Sequence, residues 1–532
     1  MSTIIDEKGG KGEAVMGQGI QEDVTLEELG YQQELKRSYG LLDMLGFSFS
    51  IVTCWSALSG VFIIGVSAGG PPVILYGWIA TCVLTIAVAC AMAEMCSLWP
   101  VAGGQYSWVA LMAPKKIARE MSYMTGWFML MGILSMGSAN NSFISNNILG
   151  QANLVFPQYT IERWQSVLVS YLAALLGGVI NIWTPHLLHR LARAVFLWNM
   201  VSFIIIVIVL LATKEHKQSA DFVFKDFQNG TGFGTAMATM IGIVQAFFGM
   251  CCYDTPVHMT EEMTHPSRDA PRAIIMSVVI GAVTGFAFLL TLCFCIGDIS
   301  STANTSTGSP VLQIFYDSTN SKVATCFMGS MITVIMFVST ISLITDGSRS
   351  LYAFARDHGL PFSGFLSQVS KKRQVPVNAI VVTVIIQMAF NSIYFGTVTG
   401  FNTVVSIATT GFYVSYALAL LARVLGYFFR DKLIFTGPYS FSLPISLSIN
   451  VIGFLFLIFA FIIFNFPSEA PVDESTMNYT SAATGVIAVL SLITWFTTGH
   501  RYFHGPAEGH IVHGQEQEQG DTVVVGRETT KA

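Results

Sequence analysis

The chain has 532 residues, of which 52% are hydrophobic and only 11% are charged. Soluble domains carry roughly 25% charged residues, so this composition excludes an ordinary soluble protein and indicates a polytopic membrane protein. The net charge of −5 is uninformative, because the distribution of charge across loops matters more than the sum, and no basic, aromatic-rich patch indicates nucleic acid as a partner. The nine cysteines lie in or beside apolar segments without metal-ligand spacing, so we expect no metal and no cofactor.

Two polar stretches enclose the apolar part of the chain. Residues 1–40 and 499–532 have the low hydrophobicity that is typical of disordered tails. No apolar segment of a cleavable signal peptide occurs in the first of them. We therefore predict one membrane domain, residues 41–498, between two tails.

The apolar runs of this domain predict its helices. A helix needs about 20 apolar residues to span a bilayer. Twelve runs are long enough, and they lie at residues 43–68, 73–98, 121–149, 165–183, 194–213, 235–258, 272–297, 323–348, 376–396, 401–425, 444–466 and 479–498. The predicted fold is all-α with twelve transmembrane helices, and an even number places both tails on one side.

Loop charge and sequons predict which side that is. Loops on the side of the tails contain more Lys and Arg than the opposite loops, which predicts cytosolic tails. Three N-x-[ST] sequences in opposite loops predict glycosylation at Asn229, Asn304 and Asn478. A fourth, at Asn140, lies inside the third span and should be silent. This pattern favours a eukaryotic secretory-pathway membrane.

Two spans carry signs of interruption. Gly249, Asp254 and Pro256 fall close together in the sixth run, where proline removes a backbone donor. A broken helix at membrane depth is tolerated only where it lines a cavity or is buried in protein. The first run has small and polar residues at its middle, namely Thr53, Ser56, Ser59 and Gly60. Interrupted helices five spans apart predict two five-helix repeats of inverted topology, with spans 11 and 12 added.

The interruptions are the candidate substrate site. Free backbone amides at a break can hold a carboxylate, and carbonyls can hold an ammonium group. Asp254 could contact a substrate or cap the following half-helix. Trp55 and Phe248 could form an aromatic wall for a cation, or pack against lipid or core. The small residues of the first span could instead permit close helix packing. The candidates are Trp55, Ser56, Ala57, Leu58, Ser59, Gly60, Gln245, Phe248, Gly249, Tyr253 and Asp254.

Charged residues near the predicted cytosolic face could form a salt-bridge gate, or serve only to set topology. The candidates are Glu261, Glu262, Arg268 and Arg349, with Arg272 and Arg356 nearby. Arg193 could replace a bound cation but could not relay protons, because arginine stays protonated. Glu94 at the end of span two is a further candidate proton carrier. For polar residues deep in spans, we expect interhelical hydrogen bonds as the default role; these residues are Asn140, Asn141, Gln245, Thr340 and Ser342.

The stretch after span two begins with a Gly-rich turn, PVAGGQY, and continues as SWVALMAPKKIARE. Its pattern predicts an amphipathic cytosolic helix, which as an interfacial helix would pack under the bundle.

Four motifs resemble those of a known family. They are PVAGGQY ending at Tyr106, YD at Tyr253 with MTEE ending at Glu262, DAPRA starting at Asp269, and SRSLYAFARD starting at Ser348 with GLP starting at Gly359. Together they are similar to the fungal amino acid/choline permeases of the amino acid–polyamine–organocation superfamily, which include GABA and choline permeases. The resemblance extends over about residues 40–500.

The resemblance implies a leucine-transporter-like fold and secondary active transport, in fungi usually driven by protons. We therefore expect no enzyme, but an importer of an amino acid, GABA or a related amine across a fungal plasma membrane, or a vacuolar or other endomembrane. A choline or quaternary-amine permease is a close alternative. A nutrient sensor without flux is a more distant one.

Overall fold

The computed structural model describes residues 33–52, 54–430, 437–474 and 476–505. Its helices are labelled in chain order. The first ten are α1 Leu41–Val52, α2 Cys54–Ser67, α3 Gly70–Leu98, α4 Gln105–Met112, α5 Ala118–Val155, α6 Arg163–Trp183, α7 Leu188–Thr213, α8 Ala220–Phe224, α9 Thr235–Gly249 and α10 Thr255–His258. The next ten are α11 Pro266–Cys295, α12 Ile299–Ala303, α13 Pro310–Thr319, α14 Lys322–Arg356, α15 Ser363–Leu366, α16 Val377–Gly396, α17 Val398–Phe429, α18 Leu443–Ile463, α19 Thr480–Thr494 and α20 His500–Tyr502. Strands β1 Ala68–Gly69 and β2 Gln228–Asn229 form an antiparallel pair.

Within the described ranges, ten helical segments are long and apolar enough to cross a membrane. The chain is therefore a mostly helical, multi-pass membrane protein, as predicted. The segments are Leu41–Ser67, Gly70–Leu98, Arg163–Trp183, Pro185–Thr213, Pro266–Cys295, Lys322–Arg356, Val377–Gly396, Asn402–Phe429, Leu443–Ile463 and Thr480–Tyr502.

The third and sixth predicted spans are helical but do not have the length and hydropathy of these ten segments. Helix α5 has 38 residues, and its many Ser and Asn side chains lower its hydropathy. Helix α9 has only 15 residues, because the chain breaks after Gly249. A helix thus lies at every predicted run, while ten segments have the length and hydropathy expected of a span.

Helix α5 lies at the centre of the bundle and packs against α4, α6, α14 and α17. Its contact with α17 is close enough for the backbones to touch, since a Cβ added at Gly411 would lie 2.7 Å from the Gly132 nitrogen. Glycine pairs of this kind are common where membrane helices cross. Large apolar side chains on the outer helices are exposed, as expected of a lipid-facing surface, for example Leu172, Ile204 and Leu455.

The folded part extends into both predicted tails. Leu35 and Tyr39 are buried against the bundle at one end, and Phe503 is buried at the other. The predicted tail boundaries are therefore too wide, because these apolar side chains pack with the helices. The remaining parts of the predicted tails, 1–32 and 506–532, lie outside the described residues.

Helix α4 follows the Gly-rich turn after span two, at the predicted place, but it is not amphipathic. All eight of its residues are buried. It packs against α5 and α17, and Trp108 donates its indole hydrogen to the Trp99 carbonyl at 3.0 Å. The polar part of the sequence pattern, Lys115 and Lys116, follows the helix and is exposed. The prediction of an amphipathic helix is therefore wrong, whereas the helix packs against the bundle as expected.

Candidate functional site

The sixth span is broken where the sequence predicts it. Helix α9 ends at Gly249, and the chain resumes as the short α10 at Thr255. Between them, Cys252 has a φ of 64°, a left-handed conformation uncommon in residues with a side chain. Side chains satisfy two carbonyls freed by the break, since the Tyr413 hydroxyl donates to Phe247 O at 2.9 Å and the Thr255 hydroxyl to Cys252 O at 2.8 Å.

A cavity of about 360 Å³ lies against this break, and we call it the central cavity. It lies between the α1–α2 junction, the break, and the middles of α5 and α14. No described residue that lines it carries a charge. Its wall combines aliphatic side chains with Phe143, Phe248, Asn140, Ser339 and the sulfur atoms of the break. A small ligand here would find aromatic and apolar contacts and a few polar groups.

A second cavity of about 470 Å³, the outer cavity, lies beside the loop before α13 and the start of that helix. Phe143 lines both cavities. Its ring meets that of Phe248 edge to face, with centroids 5.9 Å apart. A Cβ added at Gly60 would lie 3.0 Å from the Phe143 ring, so glycine allows the ring to lie against α2. The Phe143–Phe248 pair therefore separates the two cavities.

The predicted site residues of span one line different cavities. Ala57 lines the central cavity, whereas Ser59 and Gly60 line the outer cavity. Leu58, Ser59 and Gly60 lie beyond the first turn of the regular helix α2, so they do not form the predicted break. Residue 53, between α1 and α2, lies outside the described residues, and the break in span one stays a prediction.

Trp55 does not belong to the aromatic wall. It is fully buried and donates its indole hydrogen to Asn199 Oδ1 at 2.5 Å. Its ring packs against Phe203 and Phe288, with centroids 5.9 and 5.2 Å away. The indole therefore faces α7 and α11, and Phe143 takes the predicted place beside Phe248.

Several other predicted site residues serve helix packing. A Cβ added at Gly249 would lie 2.8 Å from Leu58 Cδ2 and 2.9 Å from Trp78 Cζ3, so this glycine lets α9 approach α2 and α3. Ser56 is buried, and its carbonyl accepts a hydrogen bond from Ser59 Oγ. Gln245 is buried beside Gly65 of α2. Leu58, Ser56, Gln245 and Gly249 line neither cavity.

Asp254 stands at the start of α10 but does not cap it, since no amide of that helix donates to its side chain. The buried carboxylate instead contacts three polar side chains. Gln105 Nε2 and the Tyr416 hydroxyl each donate at 2.6 Å, and His258 Nε2 lies 3.2 Å away. Because its oxygens are engaged there, Asp254 does not reach the central cavity. Tyr253 packs against the Tyr416 ring at a tilt of 44°, with centroids 5.1 Å apart.

Four of the five deep polar residues form interhelical hydrogen bonds, as predicted, whereas the buried Gln245 side chain has no hydrogen-bond partner among the described residues. Asn140 donates to Met336 O and to Thr340 Oγ1, both at 2.9 Å. Thr340 in turn donates to Asn141 Oδ1 at 2.8 Å. Together these bonds join α5 to α14. Ser50 and Ser342 join α1 to α14 in the same way, at 2.8 Å.

Two buried ion pairs lie on the side of the tails. Arg349 Nε donates to Glu262 Oε1 at 2.8 Å, and Arg356 Nη2 donates to Glu261 Oε1 at 2.8 Å. They join α14 to the segment after α10. Arg268, predicted as a gate member, is exposed and takes part in neither pair, because it projects from the first turn of α11.

The two weaker candidates have structural partners. Arg193 forms an ion pair with Asp43 at 2.6 Å and so joins the start of α7 to the start of α1. Glu94 accepts from the Ser446 hydroxyl at 2.6 Å and from the Phe441 amide at 2.9 Å. Both of its oxygens are thus engaged by the loop before α18 and the start of that helix.

Residues 39–490 match the family model described as amino acid permease. The chain belongs to the amino acid permease family. A protein of Macrophomina phaseolina, provisionally named an amino acid/polyamine transporter, is 58% identical over 83% of this permease and 97% of its own length. An amino-acid permease BAT1 homolog of Oryza sativa is 29% identical, covering 92% and 96% of the two chains. The choline transporter of Saccharomyces cerevisiae is 28% identical, covering 94% and 88%.

Sequence reasoning missed several residues of the permease that the fold places near the break. Phe143 had no signal, because one phenylalanine in an apolar helix looks like any other. Gln105 and Tyr416 come from distant elements. Asp346 and His258 had a usable signal, since an ionisable residue within a span is a functional candidate by default. Within the described ranges, no group of three His, Cys, Asp or Glu side chains could hold a metal ion.

Proposed function

We propose that the protein is a secondary transporter that carries a small amino acid or amine through the central cavity. The observation that carries this proposal is the cavity at the broken sixth span, with an aromatic pair on one side and buried ion pairs on the other. Transporters bind substrate at such helix breaks near the bilayer midplane. The family match and the names of the relatives support the same class of activity.

The lining of the cavity favours a substrate with little net charge. A zwitterion such as an amino acid or GABA would place its ammonium group near the carbonyls of the break and its carboxylate near amides or Asn140. A polyamine carries several positive charges, and no described lining residue has a carboxylate to match them. Choline is the second candidate, because Phe143 and Phe248 offer ring faces to a cation, worth roughly 0.5–2 kcal/mol.

The architecture that we propose has twelve spans, with two inverted five-helix repeats and two added helices. Helices at all twelve predicted runs support it. The excess of Lys and Arg in loops on the side of the tails supports cytosolic termini. A fungal plasma membrane is the favoured location, with a vacuolar or other endomembrane as the alternative.

Transport would alternate between two closures. On the side of the outer cavity, rotation of Phe143 away from Phe248 would open the central cavity. On the side of the tails, Glu262–Arg349 and Glu261–Arg356 would have to separate. Uptake against a gradient would draw on co-transported protons.

The test is radiolabelled uptake in yeast cells that lack their own amino acid, GABA and choline permeases. The cells are offered GABA, neutral and basic amino acids, choline and a polyamine at acidic and neutral pH, with and without a protonophore. We expect saturable, protonophore-sensitive uptake of an amino acid, GABA or choline. Surface-localised protein that takes up none of them contradicts the proposal and favours a sensor without flux.

A matched pair of variants locates the site. Ala57→Leu fills the central cavity and should abolish uptake. Ala212→Leu makes the same change at an exposed position of α7 and should preserve it. Equal uptake by both variants would contradict the assignment of the central cavity.

A further inference from the structure

Asp346 is a carboxylate in the middle of the long helix α14, and it is fully buried. Neither of its oxygens has a hydrogen-bond partner among the residues that the structure describes. The Thr255 hydroxyl lies near the Asp346 carboxylate. It does not donate to that carboxylate, because its single proton is donated to the Cys252 carbonyl at 2.8 Å. An ionised carboxylate buried without donors loses several kcal/mol of solvation, so its protonation state must depend on the charges around it.

A pair of groups that shares one proton faces Asp346 from the broken span. His258 Nδ1 lies 2.9 Å from the Ala102 carbonyl, which can only accept, so this nitrogen carries a hydrogen. The other ring nitrogen lies 3.2 Å from Asp254 Oδ2. A hydrogen bond there needs a proton either on His258 or on Asp254. The Asp254–His258 pair therefore holds one proton in either arrangement.

The charges in this region do not balance. The charged groups that face Asp346 are His258 and Asp254 of the sixth span and Arg349 of its own helix, and the Cys252 thiol is also near. Arg349 is already paired with Glu262 at 2.8 Å. With every group ionised, the acids exceed the bases by one, and the excess negative charge falls on Asp346. One added proton makes the cluster neutral.

We propose that Asp346, together with the Asp254–His258 pair, is the proton-binding site that couples transport to a proton gradient. The cluster lies between the central cavity, which Cys252 lines, and the ion pair of Arg349. An ionised Asp346 attracts His258 and so holds α14 against the broken span. A protonated Asp346 does not, and the side of the tails then opens more readily. This inference rests on the transport proposed above.

Two assays on the purified full chain in proteoliposomes test it. Exchange of labelled for unlabelled substrate at equal pH needs no net proton movement. Uptake driven by an acidic exterior does, and a pH-sensitive dye in the lumen reports the proton that enters with the substrate. Asp346→Asn should retain exchange but lose both the gradient-driven accumulation and the acidification of the lumen. Asp346→Glu, which keeps the carboxyl group, should retain gradient-driven accumulation.

Glu94→Gln is the matched control, because it makes the same chemical change at another buried carboxylate, one with donors on both oxygens. It should keep coupling. If Asp346→Asn does not fold, His258→Gln should show the same loss, since glutamine can donate to Asp254 but cannot share a proton. Accumulation by either variant at the wild-type level overturns the proposal.

The wild-type protein distinguishes a failure of this inference from a failure of the proposed transport function. If it exchanges substrate but ignores the pH gradient, proton coupling is wrong while transport stands. If it exchanges none of the offered substrates, the proposed function falls, and this inference with it.

Discussion

Phe143 of α5 and Phe248 of α9 meet edge to face, with an interplanar angle of 83°, at the boundary of the two cavities. Phe143 lines both cavities, so its ring is part of the wall between them. The aromatic pair is therefore a side-chain barrier between the central cavity and the outer cavity.

Removing one ring should open that barrier. In a protein whose only cysteine in the central cavity is Cys251, Phe143→Ala should increase the rate at which a membrane-impermeant thiol reagent modifies that residue from outside. Uptake should fall, because the substrate is no longer enclosed. Phe203→Ala removes a ring that packs on Trp55 instead, and it should leave the modification rate unchanged. Equal rates in Phe143→Ala and the parent protein would contradict the gate.

The buried pair Glu262–Arg349 should be necessary for stability. Arg349→Ala leaves a buried carboxylate unpaired, which typically destabilises by about 3–5 kcal/mol. We expect a clearly lower melting temperature in detergent. Arg268→Ala, at an exposed position, should change stability by no more than about 0.5 kcal/mol. If the two variants have the same melting temperature, the Glu262–Arg349 pair does not stabilise the protein and the prediction is wrong.

Gly249 should be sensitive through packing and not through substrate contact. Gly249→Ala places a Cβ 2.8 Å from Leu58, and overpacking of this kind destabilises by about 1–3 kcal/mol. Thermal unfolding measures the loss, and Leu58→Ala should restore part of it by removing the clash. Gly485→Ala in α19 meets nothing within 4 Å and is the control. An unchanged melting temperature together with a raised KM would instead indicate direct substrate contact.

The three sequons should differ in behaviour. Asn229 and Asn304 are exposed and donate to carbonyls four residues away, Phe233 O at 2.6 Å and Ser300 O at 3.0 Å. Asn478 instead joins its loop to the end of α18 and the residues after it, since it donates to Phe464 O at 2.8 Å and Phe466 O at 3.0 Å. We expect Asn304→Gln and Asn229→Gln to remove a glycan shift on a gel without loss of stability. Asn478→Gln should lower the melting temperature, because two partly buried carbonyls lose their donor. Glycan shifts at none of the sites would contradict the predicted topology.

The sequence predicts the helices well because hydrophobic length decides them. The sequence also predicts the break in span six, because Gly249, Asp254 and Pro256 lie close together in one apolar run. The pair Glu262–Arg349 could be proposed because both residues lie near one face of the membrane. In each case the relevant information lies within one short stretch or in the side on which a loop falls.

Side-chain direction was not predictable. Trp55 and Ala57 are two residues apart on α2, yet one faces α7 and α11 and the other faces the central cavity. Asp254 looked like a helix cap because its donors, Gln105 and Tyr416, come from elements far away in sequence. Such choices depend on how the bundle packs, which one helix cannot specify.

The segment before α1 has a mechanical consequence for the side of the tails. The amides of Ser38 and Tyr39 donate to the Glu262 carbonyl at 2.8 and 3.0 Å, and Thr264 N donates back to Tyr39 O at 3.1 Å. Burial, and then the nearby charge of Glu262, raise the pKa of the Tyr39 phenol, so the ring stays neutral there. If Glu262 moves away from Arg349, the segment at Ser38 and Tyr39 must therefore move with it, or these main-chain hydrogen bonds must break. A force applied to the segment before α1 is therefore transmitted to the Glu262–Arg349 ion pair through main-chain hydrogen bonds.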